Sequence, residues 1–209
     1  MERTAFKEPW YTPYHFIRKG VDVQCPNCGG HATSTGASAY LMPWHPTDTR
    51  LICTHCAYTK TEDKASWSGP VIAFGSRPCG NCGHKWVQAK LSLDRIPPKS
   101  FALPKVDCPV CRSPNEVTLS WERDVFNGRP IDPYNGETLW YLDQVKGNPL
   151  WAYNLSHLVY LRNFVTSPLR ERDENAGKYS VLTNLPKWMK AQKNRDAIVR
   201  ALARLEQKT

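Results

Sequence analysis

The sequence has no run of about 18 apolar residues, the least that a membrane-crossing helix needs. Its first residues, among them Glu2, Arg3, Lys7 and Glu8, lack the continuous apolar segment of a signal peptide, so a soluble, cytoplasmic protein is expected. There is no glycine-rich phosphate loop, no coherent nucleophile and base pair, and no carboxylate-rich metal site. These absences argue against an enzyme, and no small-molecule substrate suggests itself. Negative charge is the scarcer sign: 19 Asp and Glu stand against 28 Lys and Arg, a net charge of +9.

What the sequence does have is cysteine in a strict pattern. All eight cysteines fall in four Cys-x-x-Cys pairs: Cys25 with Cys28, Cys53 with Cys56, Cys79 with Cys82, and Cys108 with Cys111. Two residues between thiols let both sulfurs of a tight turn point at one ion, and two such turns complete a tetrahedral Zn²⁺ site. Spacing alone leaves the pairing open, because 24, 22 and 25 residues separate successive pairs. An internal repeat decides it. A shift of 54 carries Cys25 and Cys28 onto Cys79 and Cys82, and a shift of 55 carries Cys53 and Cys56 onto Cys108 and Cys111.

The expected sites are therefore Cys25, Cys28, Cys53 and Cys56, and Cys79, Cys82, Cys108 and Cys111, holding two structural zinc ions. Gly29 and Gly83 are placed to supply a left-handed turn after the first pair of each site. Disulfides do not suit a cytosolic chain. Iron shares the four-thiolate geometry, so the ligands alone do not distinguish it from zinc. His45 and His55 lie near the first site and are read as polar residues, since four thiolates already satisfy the ion.

The positive charge is uneven. Residues 25–111 carry nine Lys and Arg against five Asp and Glu, and residues 185–209 carry seven against two. Basic patches of this kind attract polyanions. Lys85, Lys90, Arg95, Lys99 and Lys105 are the candidate basic face of the second ribbon. Lys187, Lys190, Lys193, Arg195, Arg200 and Arg204 are the candidates at the C-terminus. The chain also has eight tryptophans. Most are expected in the core, with a minority exposed for bases or a partner.

Along the chain, Pro9 and Pro13 argue against a regular helix in residues 1–24 and for an extended aromatic arm. Val21 and Val23 alternate with polar residues into the first cysteine pair, and Pro43 to Asp48 read as a turn. Val71 to Phe74 form a short strand. Val87, Ala89, Leu91 and Leu93 predict a half-buried strand, with Val117, Leu119 and Trp121 on its antiparallel partner.

Turn formers fill residues 127–149, and from Asn148 the spacing of Trp151, Leu155, Leu158 and Val165 predicts a helix, with His157 as a packing residue. Ser167-Pro168 ends it, a turn through Arg170 to Arg172 and a loop at Asn175 to Gly177 follow, and Asn194 is placed to cap a last helix bearing Ile198, Leu202 and Leu205. The segments are an arm (1–24), zinc ribbon 1 (25–70), zinc ribbon 2 (71–126), a connector (127–149) and a helical C-terminal module (150–209). The fold class is α+β: two tandem four-cysteine zinc ribbons of short antiparallel strands, then a small α-helical module.

The stretches Leu150-Trp151-Ala152-Tyr153-Asn154, His157-Leu158, Tyr160-Leu161, Leu169-Arg170-Glu171-Arg172, Leu185-Pro186-Lys187-Trp188 and Lys193-Asn194-Arg195-Asp196 form a pattern with Gly128-Arg129-Pro130 and Asp132-Pro133. Together they resemble a family of bacterial zinc-ribbon proteins that carry a general-transcription-factor-type label. That family has a further Cys-Cys-Gly where this chain reads Asp143-Gln144-Val145-Lys146-Gly147. The resemblance implies a metal fold and names no activity.

The expected function is that of a non-enzymatic, zinc-stabilised nucleic-acid-binding or adaptor protein, its partner DNA or RNA. The alternative is a module that binds an acidic protein partner, as an antitoxin, an immunity-type inhibitor or an assembly factor would.

Overall fold

In the computed structural model the described residues are Phe6, 8–38, 46–61, 67–98, 101–125, 128–168 and 179–208. The chain folds as two compact units. Met1–Glu62 and Pro130–Thr209 form the first, and Asp63–Arg129 forms the second.

The first unit opens with a short helix, α1 (Pro13–Ile17), in place of the expected extended arm. Pro13 occupies the first turn, the one helical position where a missing N–H costs nothing. The strands β1 (Val21–Gln24), β2 (His31–Ser38), β3 (Pro46–Cys53) and β4 (Thr59–Thr61) then form one antiparallel sheet in chain order. The expected turn at Pro43 to Asp48 lies partly outside the described residues; from Pro46 the backbone is already strand. β2 carries an irregularity between Thr35 and Ala37, and Gly36 there faces the ring of Tyr134, whose atoms would lie 2.6 and 2.9 Å from an added Cβ. Tyr134 in turn donates its hydroxyl to the Ile17 carbonyl.

The segment expected as a connector is instead part of this unit. Asp132 is fully buried: its Oδ1 accepts from Ser34 Oγ at 2.7 Å and from the N–H groups of Tyr134 and Asn135, and its Oδ2 accepts from Glu137 N–H. Burial raises its pKa, and those four donors oppose the rise. The turn is thereby stapled onto β2. Gln24 N–H donates to Thr138 O and Trp140 N–H to Asp22 O, so residues 138–140 run along β1.

Later in the chain, the helix expected from Asn148 is a hairpin. The strands β5 to β9 belong to the second unit and are given below; the hairpin strands are β10 (Tyr141–Val145) and β11 (Asn148–Ala152), paired antiparallel. Lys146 and Gly147 both have positive φ, 50° and 78°, which is the two-residue hairpin turn of primed type. The helix α2 (Leu155–Thr166) starts seven residues later than Asn148 and is capped by Asn154. It is followed by α3 (Lys187–Lys190), a 3-10 turn (Gln192–Asn194) and α4 (Arg195–Glu206). Asn194 precedes α4 without a side-chain cap; its amide donates to Trp188 O, and its Oδ1 accepts from Lys146 Nζ. The turn expected at Arg170 to Arg172 and the loop at Asn175 to Gly177 lie outside the described residues.

One core joins all these pieces. Phe16 and Ile17 of α1, Val21 and Val23 of β1, Leu51 of β3, Tyr141 and Leu150 of the hairpin, Leu158 and Leu161 of α2, and Ile198 and Leu202 of α4 are buried together. Each buried side chain of this size contributes about 1.5–3 kcal/mol. The first cysteine sheet thus depends on residues more than a hundred positions away.

The second unit contains β5 (Val71–Arg77), β6 (Val87–Leu93) and β9 (Ser120–Arg123) in an antiparallel sheet of order β6-β5-β9, with a separate pair β7 (Lys105–Asp107) and β8 (Pro114–Glu116). The strand expected through Val117 to Trp121 is broken after Glu116, and its later part pairs with β5 rather than β6. Gly75 explains why the chain comes so close there: an added Cβ would lie 2.1 Å from the Thr118 carbonyl oxygen. One buried cluster comprises Cys79, Val87, Ala89, Cys108 and Val117, and Trp67, Val71, Ala73 and Val125 are buried in this unit as well.

Candidate metal centres

Each cysteine pair sits in a turn with one recurring set of bonds. Cys25 N–H donates to Gly30 O at 2.7 Å, Cys53 N–H to Tyr58 O at 2.8 Å, Cys79 N–H to His84 O at 2.8 Å, and Cys108 N–H to Ser113 O at 2.9 Å. The residue after the second cysteine is left-handed in all four turns: φ is 71° at both Gly29 and Gly83, 57° at Ala57 and 64° at Arg112. The turn therefore requires the left-handed backbone and tolerates a side chain, although glycine adopts it at least cost.

Folding brings the turns together in couples. Cys25 Sγ lies 3.7 Å from Cys56 Sγ, and Cys28 Sγ lies 3.7 Å from Cys53 Sγ. In the second unit the distances are 3.6 Å for Cys79 to Cys111 and 3.7 Å for Cys82 to Cys108. Within each group of four, the sulfurs all lie within 4.8 Å of one another. A tetrahedron with metal–sulfur bonds of about 2.3 Å has edges of about 3.8 Å, so these groups have the size of a metal site. A disulfide would need about 2.05 Å. The grouping is the one that the internal repeat implies.

The surrounding donors favour thiolate. Gly30 N–H points at Cys28 Sγ, His55 and Cys56 N–H at Cys53 Sγ, Asn81 N–H at Cys79 Sγ, and the side-chain amides of Asn27 and Asn115 at Cys56 and Cys79. Left to themselves, four thiols this close cannot all ionise. Cys56 is drawn down to about 6, first by Asn27 and then by Tyr58 N–H. Cys28 shares in the Gly30 N–H, yet its bonds with Cys56, Cys53 and Cys25 and its desolvation push it up to about 12. The second group splits the same way: Ser113 draws Cys111 down to about 5, and Cys82 rises to about 12 against the pull of His84 N–H, chiefly through Cys111. A divalent cation removes that conflict by stabilising all four thiolates at once. Each group is able to hold one metal ion, and four sulfurs leave no position for a reactive water.

Beside the first group is an open cleft of 480 Å³ lined by Cys28, Gly29, Gly30, His31, Thr54, His55 and Trp140. Trp140 meets the His31 ring edge-on at 5.5 Å, and His31 Nε2 is paired with Asp22 Oδ1 at 3.0 Å. His55 is exposed, as its reading as a polar residue expects; His45 lies outside the described residues. The approach of Trp140 has no signal in the cysteine turns, because it comes from the segment expected as a connector.

The candidate basic residues divide between the units. Lys85, Lys90, Arg95 and Lys105 are exposed in the second unit, and Lys99 lies outside the described residues. In the first unit Lys187, Lys193 and Arg200 are exposed, while three others are engaged. Arg204 donates from Nε and Nη2 to Asp143 Oδ2, Arg195 donates to Ser167 O, and Lys190 donates to Thr183 O.

Among the described tryptophans only Trp67 is buried, in place of the majority expected in the core; Trp10, Trp121, Trp140, Trp151 and Trp188 are half-buried, Trp86 is 61% exposed, and Phe74 is 44% exposed. Phe74 is absent from the candidate site residues; its place out of step with the apolar Val71 and Ala73 in a two-residue alternation is the available signal. No helix among the described residues is long and apolar enough to cross a membrane. Comparisons with protein-family models, curated proteins and solved structures find no match for this chain.

Proposed function

We propose that this is a non-enzymatic, zinc-stabilised protein that binds nucleic acid through its second unit. Zinc suits closed four-thiolate sites in which the ion holds the fold and does no chemistry. The observation that carries the ligand class is the free charge of the second unit. Lys85, Lys90, Arg95 and Lys105 are exposed, and none of them enters an ion pair among the described residues. The C-terminal set contributes less, because Arg195, Arg204 and Lys190 already bond within the first unit.

Four such cations on phosphates give a salt slope near −3, so affinity for a labelled oligonucleotide falls about 60-fold between roughly 50 and 200 mM salt. Anisotropy titration measures it. Absence of binding to both DNA and RNA at the lower salt overturns the proposal. Zinc is checked by elemental analysis of purified protein, with two ions per chain expected.

A second reading has its own support. Phe74, Trp86, Ile96, Leu103 and Val110, five of the exposed large apolar side chains, all lie in the second unit. Exposed apolar side chains beside free lysines also suit an acidic protein partner. A stoichiometric complex in a pull-down, with no oligonucleotide affinity, would favour it.

A further inference from the structure

The sheet β6-β5-β9 has two unlike faces. Val71 and Ala73 of β5, Val87 and Ala89 of β6, and Trp121 and Arg123 of β9 share the inner face by register, with Arg123 over the Trp67 ring at 5.1 Å. The other face carries Ile72, Phe74 and Ser76 of β5, Gln88, Lys90 and Ser92 of β6, and Ser120 and Glu122 of β9. β5 is the central strand, where an aromatic side chain ordinarily serves the core, yet Phe74 stands in solvent at 44% exposure.

Its cross-strand neighbours are Lys90 on one side and Ser120 on the other. The Cβ atoms of such neighbours lie about 5 Å apart, within reach of a side chain as long as lysine. Along β5 the ring is flanked by half-buried Ile72 and by Ser76, and Gln88 and Ser92 lie diagonally across on β6. Trp86, 61% exposed, precedes β6 by one residue and lies about 13 Å along the strand from Lys90. Lys85 is beside it. The face's one acid, Glu122, sits on β9, the edge remote from Trp86, so positive charge and exposed rings coincide along β5 and β6.

We propose that this face binds single-stranded nucleic acid, with bases stacked on Phe74 and Trp86 and phosphates held by Lys85 and Lys90. The proposal rests on the nucleic-acid reading above and narrows it. The chemistry of the rings makes the choice. Stacking on an aromatic ring needs the flat face of a base, which a duplex hides inside its own stack at a spacing of about 3.4 Å. Two aromatic positions, Trp86 about 13 Å along β6 from the residue opposite Phe74 and each with a lysine as neighbour, match a splayed strand whose bases turn inward and whose backbone stays at the ammonium groups.

The test uses the full-length zinc-loaded chain, a fluorescent oligothymidylate of about 12 nucleotides and a duplex of the same length, followed by anisotropy at low salt. The single strand is expected to bind more tightly than the duplex. Phe74→Ala and Trp86→Ala are each expected to weaken it about 10-fold, Phe74→Tyr to retain it, and Phe74→Leu to lose as much as alanine does. Lys187→Ala with Lys193→Ala is expected to weaken it no more than about twofold. Zinc content and circular dichroism verify that each variant is folded.

Intact oligonucleotide binding that ignores Phe74→Ala and Trp86→Ala, or that prefers the duplex, overturns this inference and leaves the nucleic-acid reading standing. No binding to either probe overturns both. If Phe74→Ala converts a dimer to a monomer in light scattering without changing affinity, the face belongs to a second copy of the chain and the inference falls.

Discussion

His157 is held between aromatic rings, stacked on Phe16 at 4.6 Å and on Tyr153 at 5.3 Å. Tyr153 N–H donates to its Nδ1, so the ring proton resides on Nε2, a buried atom with no hydrogen-bond partner among the described residues. Burial lowers its pKa to about 3. The imidazole therefore stays neutral in the fold and serves packing, not proton transfer. The unfolded chain, with an ordinary value of about 6.5, takes up a proton that the fold refuses. Its contribution is fully present above pH 6.5 and is lost as pH falls toward 3, by about 1.4 kcal/mol per unit. Urea unfolding as a function of pH should show that slope in the wild type and lose it in His157→Gln. An unchanged slope in the variant would assign the acid sensitivity to other groups, the cysteines among them.

At the scale of the element, Asn154 connects two helices with one side chain. Its Oδ1 accepts from His157 N–H at 3.0 Å, which caps α2, and from Ser156 Oγ. Its Nδ2 donates to the carbonyls of Phe16 and Gly20, at 2.9 and 2.7 Å, which closes the end of α1. Removing the cap costs about 1 kcal/mol, and leaving buried carbonyls unpaired costs more. Asn154→Ala is thus expected to lower stability by about 3 kcal/mol. The informative variant is Asn154→Asp. Aspartate caps as well as asparagine, yet it places carboxylate oxygen against two carbonyl oxygens, so it too should destabilise by at least about 2 kcal/mol. Equal stability of wild type and Asn154→Asp in thermal melts would show that the α1 contact contributes nothing.

The same element shows why residue spacing misplaces the helix start. Trp151, Leu155 and Leu158 do recur at helical spacing, but Lys146 and Gly147 turn the chain and Pro149 to Ala152 pair with Gln144 to Tyr141. Lys-Gly is a weaker hairpin signal than Asn-Gly. Asn148, the expected start of the helix, opens β11, and the residue that caps α2 is Asn154.

On the scale of the molecule, the two units are expected to rely on metal to different degrees. Among the described residues the second unit buries nine apolar or cysteine side chains, Trp67, Val71, Ala73, Val87, Ala89, Val117, Val125, Cys79 and Cys108, and the last two are candidate ligands. The first unit packs its ligands Cys25 and Cys53 into a core shared by α2, α4 and the β10–β11 hairpin. A structural zinc site contributes about 10–16 kcal/mol of apparent binding free energy, which a core this small does not replace. Chelation should therefore open Asp63–Arg129 to protease while most helical circular dichroism survives. Cys79→Ser should behave alike, whereas Cys25→Ser should lose one metal ion and keep the helices. A single cooperative loss of both units on chelation would refute this division.

The sequence by itself determined the metal groups. A thiol pair in a tight turn is local geometry, and the 54- and 55-residue repeat matches each turn to its partner without knowledge of the rest. The alternation through Val87 and Ala89 likewise reported a buried strand face, because burial on a pleated strand repeats every two residues. Only the tertiary structure decided which segments share a core. The 130–153 stretch joins β1 and β2 through Trp140, Leu139 and Asp132, and that choice depends on surfaces that meet after the chain has closed on itself. It also decided which aromatic ring stays in water: Phe74 and Trp121 are both strand residues, and only their register across the sheet sends one outward and the other in.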